Sequence, residues 1–210
     1  MTYQSFDGHG VDVAVKRADD LDRKVLDYIA MNPSCSVLDL GSEAGGQSVR
    51  MAADGAQVTA IDQYDFSAQF AKYEQSADKL EFRQGDMQHI SSLVSDKTFD
   101  IALCQRTIHY LPYDAALTFL AKLVPIVKDT LYISVTGSGS LVGDTYPCAA
   151  TTVSERFCEL SDVGKEMFSI NGSVCLYNQT EFMQLLESAG WTVDECWESA
   201  FGNIKSVCSK

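Results

Sequence analysis

Five short apolar runs alternate with segments of helical spacing, and this alternation constrains the fold more than any other feature of the chain. The runs are SVLDL (36–40), QVTAI (57–61), LEFR (80–83), FDIALC (99–104) and TLYISV (130–135). Between them, Gly46–Ala53 and Ser67–Ala77 suit helices. Leu117, Leu120, Leu123, Val124 and Val127 mark another, which Pro125 should end or kink. Ahead of the first run, Leu21, Val25, Tyr28 and Ile29 predict a helix over Asp20–Met31, with Pro33 just beyond it and the acids at 19, 20 and 22 at its start, where they complement the dipole. Strands and helices in this order imply a parallel sheet with helices on both faces.

The end of the chain departs from that rhythm. Thr180–Ala189 reads as an amphipathic helix with Gly190 as its stop, followed by strands over Trp191–Trp197 and Asn203–Cys208. A few residues cannot carry a parallel crossover, so the last strand must run antiparallel to its neighbour. Between the fifth run and this helix, residues 138–177 form a stretch rich in Gly, Ser and Thr, long enough for a lid or substrate wall.

Composition narrows the partners. With 29 acidic and 16 basic residues the net charge is −13, which repels phosphate backbones and disfavours nucleic acid and anionic membranes. No apolar run approaches the roughly 18 residues of a membrane span, and MTYQSFDGHG lacks the marks of a signal peptide. The seven cysteines (35, 104, 148, 158, 175, 196, 208) are odd in number and form no CxxC pair. A disulfide framework or zinc site is therefore not expected, no metal constellation stands out, and a reducing cytoplasm is the expected setting. Oligomeric state leaves no mark in the sequence.

In an open parallel sheet, ligands bind beyond the carboxyl ends of the strands, which directs attention to VLDLGSEAGGQS, Val37–Ser48. A dinucleotide loop would read G-x-G-x-x-G; here it is G-x-x-x-G-G, with Asp39 two residues before the first glycine. That carboxylate repels a pyrophosphate and attracts a cationic ligand. S-adenosylmethionine, with a sulfonium and an ammonium, is such a ligand.

At this loop the chain resembles the class I S-adenosylmethionine-dependent methyltransferases, in particular their small, small-molecule-type members. Asp39, Gly41, Ser42 and Gly45 match the first motif of that family, and Asp62 with Gln63 in TAIDQYD match the second-strand acid that grips the ribose hydroxyls. Asp86 and Met87 in FRQGDMQHI match the adenine side, and FDIALCQRTIHYLP, with Cys104, resembles the fourth-strand motif. The resemblance implies a Rossmann-like, doubly wound, seven-stranded α/β sheet in one domain, 1–210. It would comprise an N-terminal lid and helix (1–34), a cofactor core (35–137), a substrate-side insert (138–177) and a closing helix and hairpin (178–210). Glu43 departs from the motif, standing where the family carries another glycine.

The implied chemistry is methyl transfer to oxygen or nitrogen of a small molecule. CQRTIHYLP replaces the [Asp/Asn/Ser]-Pro-Pro-aromatic motif of amino-nucleobase and glutamine methylators, so those targets are not expected. Pro147-Cys148 has the dipeptide of cytosine-C5 enzymes but lies in the insert, which makes a structural Cys148 the expectation. His109 is the candidate base, since an imidazole with a pKa near about 6.5 suits a phenol or amine proton; a cofactor wall is its other role. His89 is expected to cap or pack near the adenine. Tyr110, Tyr146 and Tyr177 are candidates for the acceptor wall, while His9 and Arg17 would belong to the lid. A catalytically silent cofactor-binding protein and a nucleotide-dependent oxidoreductase are the alternatives.

Overall fold

The computed structural model describes residues 18–73, 76 and 78–210; His9 and Arg17 lie outside these. Seven strands form one sheet: β1 (Ser36–Leu40), β2 (Gln57–Asp62), β3 (Leu80–Gln84), β4 (Phe99–Gln105), β5 (Val127–Thr136), β6 (Thr192–Glu198) and β7 (Asn203–Ser209). Their order is β3-β2-β1-β4-β5-β7-β6. The first five are parallel, and β7 runs antiparallel to both β5 and β6, as the short final connection requires.

Helices cover both faces. On one, α1 (Asp20–Met31) and α2 (Gly46–Ala53) bury Leu21, Val25, Ile29 and Met51 against Val37, Val58 and Ile101. On the other, α4 (Ile90–Val94), α5 (Tyr113–Leu123) and α7 (Gln179–Ser188) pack Phe119, Leu120, Phe182 and Leu185 over Leu38, Leu131 and Ile133. At about 25 cal/mol per Å² of buried apolar surface, these two layers dominate the stability of the domain. Trp191 is tied to the second layer by donating its indole N–H to the Leu120 carbonyl at 3.0 Å.

Two helices differ from the sequence pattern. Among the described residues of the helix expected over Ser67–Ala77, α3 covers Ser67–Phe70 and residues 71–73 leave the helix, where Phe70 stacks on Phe82 at 4.6 Å and Tyr73 donates its hydroxyl to the Ala44 carbonyl. The helix expected to end at Pro125 begins earlier, after Pro112, and stops at Leu123; Val127 already belongs to β5. No helix among the described residues is long and apolar enough to cross a membrane.

The 138–177 insert has its own small core of Tyr146, Leu160, Ile170, Val174 and Leu176, with α6 (Asp162–Phe168) on top. Arg156, 6% exposed, anchors it to α7. Its guanidinium donates to both Glu181 carboxylate oxygens at 2.7 and 2.9 Å, to the Thr151 carbonyl through Nε and Nη2, and to the Leu176 carbonyl. These contacts occupy all of its donors, which is what makes a buried cation tolerable. Cys148 and Cys158 form a disulfide in this insert, contrary to the expectation from cysteine spacing. Folding brings the two together by pairing Cys158 with Val174 in a short bridge, a proximity that spacing alone does not reveal.

The start of α1 carries a pH-sensitive group. Asp19 caps the helix and accepts from the Leu21 and Asp22 amides, while Asp22 accepts from the Asp19 amide at 2.7 Å and from the Gln105 side chain. Burial pushes the Asp22 carboxyl up to about 6. A carboxyl that holds its proton more tightly when folded stabilises the fold most below its unfolded pKa, and that contribution falls as pH rises through its folded value. Burial also pushes Asp20 and Asp100 up, but hydrogen bonds from Lys205 and Trp197, and from Ser36 and Lys128, outweigh it; their effect has the opposite sign and lies below about pH 4. Asp22 should therefore subtract up to about 3 kcal/mol of stability between about pH 4 and 6, with no further loss above. Urea unfolding across this range should show the slope in the wild type and a flatter profile in Asp22→Asn; equal slopes would contradict this assignment.

Candidate functional site

The chain runs outward from β1 to β3 and then returns to place β4 on the other side of β1, so strand order reverses between β1 and β4. The loops at the carboxyl ends of these strands enclose a cavity of about 400 Å³. This is within the range of small-ligand pockets, roughly 300–1,000 Å³.

The loop after β1 forms its floor. Gly41 and Gly45 have φ of +71° and +79°, and a Cβ at either would run into the Thr107 side chain or the Phe70 ring. Glu43 between them is also left-handed, with φ +45°, a conformation that costs a side-chain-bearing residue about 1–2 kcal/mol. Three amides fasten this loop to the end of β2. Gly41 and Ser42 donate to the Ile61 carbonyl at 2.9 and 3.2 Å, and Glu43 donates to Asp62 Oδ2 at 2.9 Å. Asp62 Oδ1 accepts from the Tyr64 amide at 3.0 Å, so the carboxylate is held from both sides at the cavity edge.

Asp39 is 5% exposed at the end of β1 and accepts from the Ser48 hydroxyl of α2. Beneath it, burial and the Asp39 charge push the Cys104 thiol up to about 12, which leaves it protonated and inert. Two further cavity groups are distinctive: Ser42 Oγ and Gln47 Nε2 are buried with no hydrogen-bond partner among the described residues. An unsatisfied buried donor costs about 1–3 kcal/mol, so this pair marks a place where a polar ligand belongs. The carboxylates, the unpartnered donors and the glycine loop together suit S-adenosylmethionine, which combines positive charge with hydroxyls and a carboxylate.

The opposite wall follows β4. A 3-10 turn over Ile108–Tyr110 sets His109, 2% exposed, on the cavity lining; the His109 carbonyl accepts from the Cys175 amide at 2.7 Å. The His109 and Tyr110 rings lie 4.3 Å apart. Burial and the nearby Glu43 charge push the Tyr110 phenol well above its ordinary range, and Arg106 opposes them. The insert completes the wall with Leu141, Val142, Met167, Phe168 and Ile170.

Of the residues singled out in the sequence, Asp39, Gly41, Ser42, Asp62, Gln63, His109 and Tyr110 line the cavity. Gly45, Asp86, Met87 and Cys104 are not on its lining. Gly45 packs under the loop against Phe70, and Cys104 is fully buried in the sheet. Asp86 caps the turn Met87–His89 by accepting from the Gln88 amide, with the exposed His89 4.0 Å away. Tyr146 and Tyr177, expected on the acceptor wall, are also off the lining. The Tyr146 hydroxyl meets the carbonyls of Arg156 and Val174 inside the insert, and Tyr177 is buried against Phe182. Tyr146 thus knits the insert to itself, and Tyr177 joins the core over the sheet. Cys148, as a disulfide partner, is structural. Gln47, Gln105, Arg106 and Thr107 line the cavity without having been foreseen; all four lie inside the two motifs already quoted, at positions facing the loop and strand ends. The apolar insert residues carry no motif that could have announced them.

A family model described as a methyltransferase domain matches residues 31–190. A search of curated proteins returns no match. Among solved structures, the 1,6-didemethyltoxoflavin-N1-methyltransferase of Burkholderia thailandensis is 18% identical, with TM-score 0.66 over 91% of this chain and 78% of that one. An S-adenosylmethionine-dependent methyltransferase from Clostridium acetobutylicum is 9% identical, with TM-score 0.68 over 94% of each chain. A Rhodobacter sphaeroides structure named for zinc-dependent alcohol dehydrogenases is 16% identical, with TM-score 0.69 over 96% of this chain and 92% of that one. Identities this low speak for a shared fold alone, and their names diverge; the match across 31–190 decides between them. The chain belongs to the methyltransferase-domain family, and its fold is that of the S-adenosylmethionine-dependent methyltransferase structures it resembles.

Proposed function

We propose that this enzyme methylates a small-molecule acceptor at oxygen or nitrogen, with Asp62 gripping the cofactor ribose and His109 receiving the acceptor proton. The observation that carries this is the position of the Asp62 carboxylate, held by the Glu43 and Tyr64 amides at the edge of the cavity onto which the buried Ser42 and Gln47 donors also open. When bound, S-adenosylmethionine supplies a methyl group already activated by a sulfonium. The chain's own task is then alignment and exclusion of water. Asp39 and Glu43 put negative charge beside the loop, which favours a cationic ligand, and Ser42 and Gln47 offer it polar contacts. The insert's apolar side chains shield the acceptor side from solvent. The role given to His109, holding a proton that leaves the acceptor, and that given to Tyr110, part of the acceptor wall, are supported by their neighbouring positions on the cavity lining after β4.

The small-molecule class is supported by the size of the cavity and by the Burkholderia relative, which was crystallised with 1,6-didemethyltoxoflavin and S-adenosylhomocysteine. Release of S-adenosylhomocysteine over a panel of phenols, amines and carboxylates tests it, and distinguishes an enzyme from a catalytically silent cofactor-binding protein.

Two substitutions separate binding from chemistry. Charge-assisted hydrogen bonds are worth about 1.5–3 kcal/mol each, so Asp62→Ala should weaken S-adenosylmethionine binding at least about tenfold in a folded protein. Calorimetry giving unchanged affinity would remove Asp62 from the site. His109→Ala should lower turnover about 100-fold with cofactor affinity nearly unchanged, the deficit shrinking as pH rises for an acceptor that ionises by itself. Affinity and turnover falling together, with the pH profile unaltered, would make His109 a cofactor wall instead.

A further inference from the structure

Neither the ribose contact nor proton transfer uses Arg106, yet its backbone is held firmly at the cavity wall. It is the first residue after β4, and its backbone is left-handed at φ +49°, a conformation uncommon for a long side chain. Its amide is fixed by Ser134 on β5, donating to the carbonyl at 2.8 Å and to the hydroxyl at 3.2 Å. The side chain is partly buried and lines the cavity, where it is the one Lys or Arg among the described residues. Its guanidinium has no ion pair or side-chain hydrogen bond among those residues, although three carboxylates, Asp39, Glu43 and Asp62, line the same cavity. An outlying backbone that holds an unpaired cation at a pocket wall is a functional feature until shown otherwise.

The position of Arg106 assigns it to the acceptor. Asp39 and Asp62 end β1 and β2, whereas Arg106 is attached to β5 on the other side of β4, next to the insert. On that side the lining turns apolar. Leu141 and Met167 remain 69% and 64% exposed at the mouth of the cavity, with Phe168 and Ile170 beside them. Large apolar side chains left in water around a pocket mark a surface that a ligand covers.

We propose that the acceptor is an apolar molecule bearing one carboxylate, which Arg106 holds through its guanidinium fork while Leu141, Met167, Phe168 and Ile170 receive the apolar body. This rests on the methyl-transfer function proposed above. One guanidinium matches one carboxylate in charge and shape. A phosphate dianion is a poorer match, since one of its two charges would be left without a counterpart on that guanidinium.

The test uses the full-length protein saturated with S-adenosylhomocysteine, whose affinity is measured first. Benzoate, 2-naphthoate and octanoate are then titrated against their own carboxamides, with phenyl phosphate as the dianion. At least one carboxylate should bind about tenfold or more tightly than its amide and than phenyl phosphate. Arg106→Asn, a residue that accepts the left-handed backbone, should erase that preference, and Arg106→Lys should keep part of it. Both variants should bind S-adenosylhomocysteine within about threefold of wild type. The proposal is overturned by a panel in which no carboxylate outbinds its amide, by a preference that survives Arg106→Asn, or by phenyl phosphate binding best. It is also overturned if Arg106→Asn weakens S-adenosylhomocysteine as much as the carboxylate, which would give Arg106 to the cofactor. A wild-type protein that binds no S-adenosylhomocysteine would instead bring down the methyl-transfer function on which it rests.

Discussion

The site depends on how the loop after β1 is fastened to the end of β2. Three consecutive amides, from Gly41 to Glu43, point at the last turn of β2 and are satisfied there by the Ile61 carbonyl and the Asp62 carboxylate. That arrangement requires left-handed backbone at Gly41, Glu43 and Gly45, which two glycines supply freely and Glu43 supplies at a cost. In return Asp62 is fixed, α2 starts at the right place to bring Gln47 and Ser48 inward, and the floor of the cavity stays open.

From this floor the cavity divides by chemistry. Carboxylates gather on the β1 and β2 side, and Arg106, His109 and an apolar wall gather on the side of β4 and the insert. The second half depends on keeping a stretch of 40 residues in place without a large core of its own. A five-residue apolar cluster, the Cys148–Cys158 disulfide and the Arg156–Glu181 pair share that task. The ion pair is largely buried, so its contribution is less raw stability than position: losing either partner would strand a charge in the interior. Glu181 also closes the capping box of α7, which couples the insert to the helix that covers the sheet.

Most of the sheet was legible in the sequence because its strands are short apolar runs and its last connection is too short to cross over. What misled was local. Ser67–Ala77 has helical composition, but the stacking of Phe70 on Phe82 and the reach of Tyr73 to Ala44 pull the chain out of a helix after one turn. That Asp39, Gly41 and Asp62 line one cavity was legible because they sit at strand ends, where motif and topology coincide. An aromatic residue in an insert gives no sign of which way it faces, and Tyr146 and Tyr177 lie off the cavity lining. Tertiary contacts turned both rings inward. Arg106 lies within FDIALCQRTIHYLP, but only the fold brings it to the cavity wall, where it pairs with no acid among the described residues.

Glu43 is where the account is most exposed, since it places an acidic side chain in the loop that must hold the cofactor. The most direct measurement is calorimetric titration of S-adenosylmethionine into the wild type and Glu43→Gly. If the loop holds the cofactor as described, the wild type binds and glycine alters the affinity by no more than about tenfold, the equivalent of about 1–2 kcal/mol of relieved backbone strain. A wild type that fails to bind, with binding restored by Glu43→Gly, would contradict the claim and identify Glu43 as a block on the site.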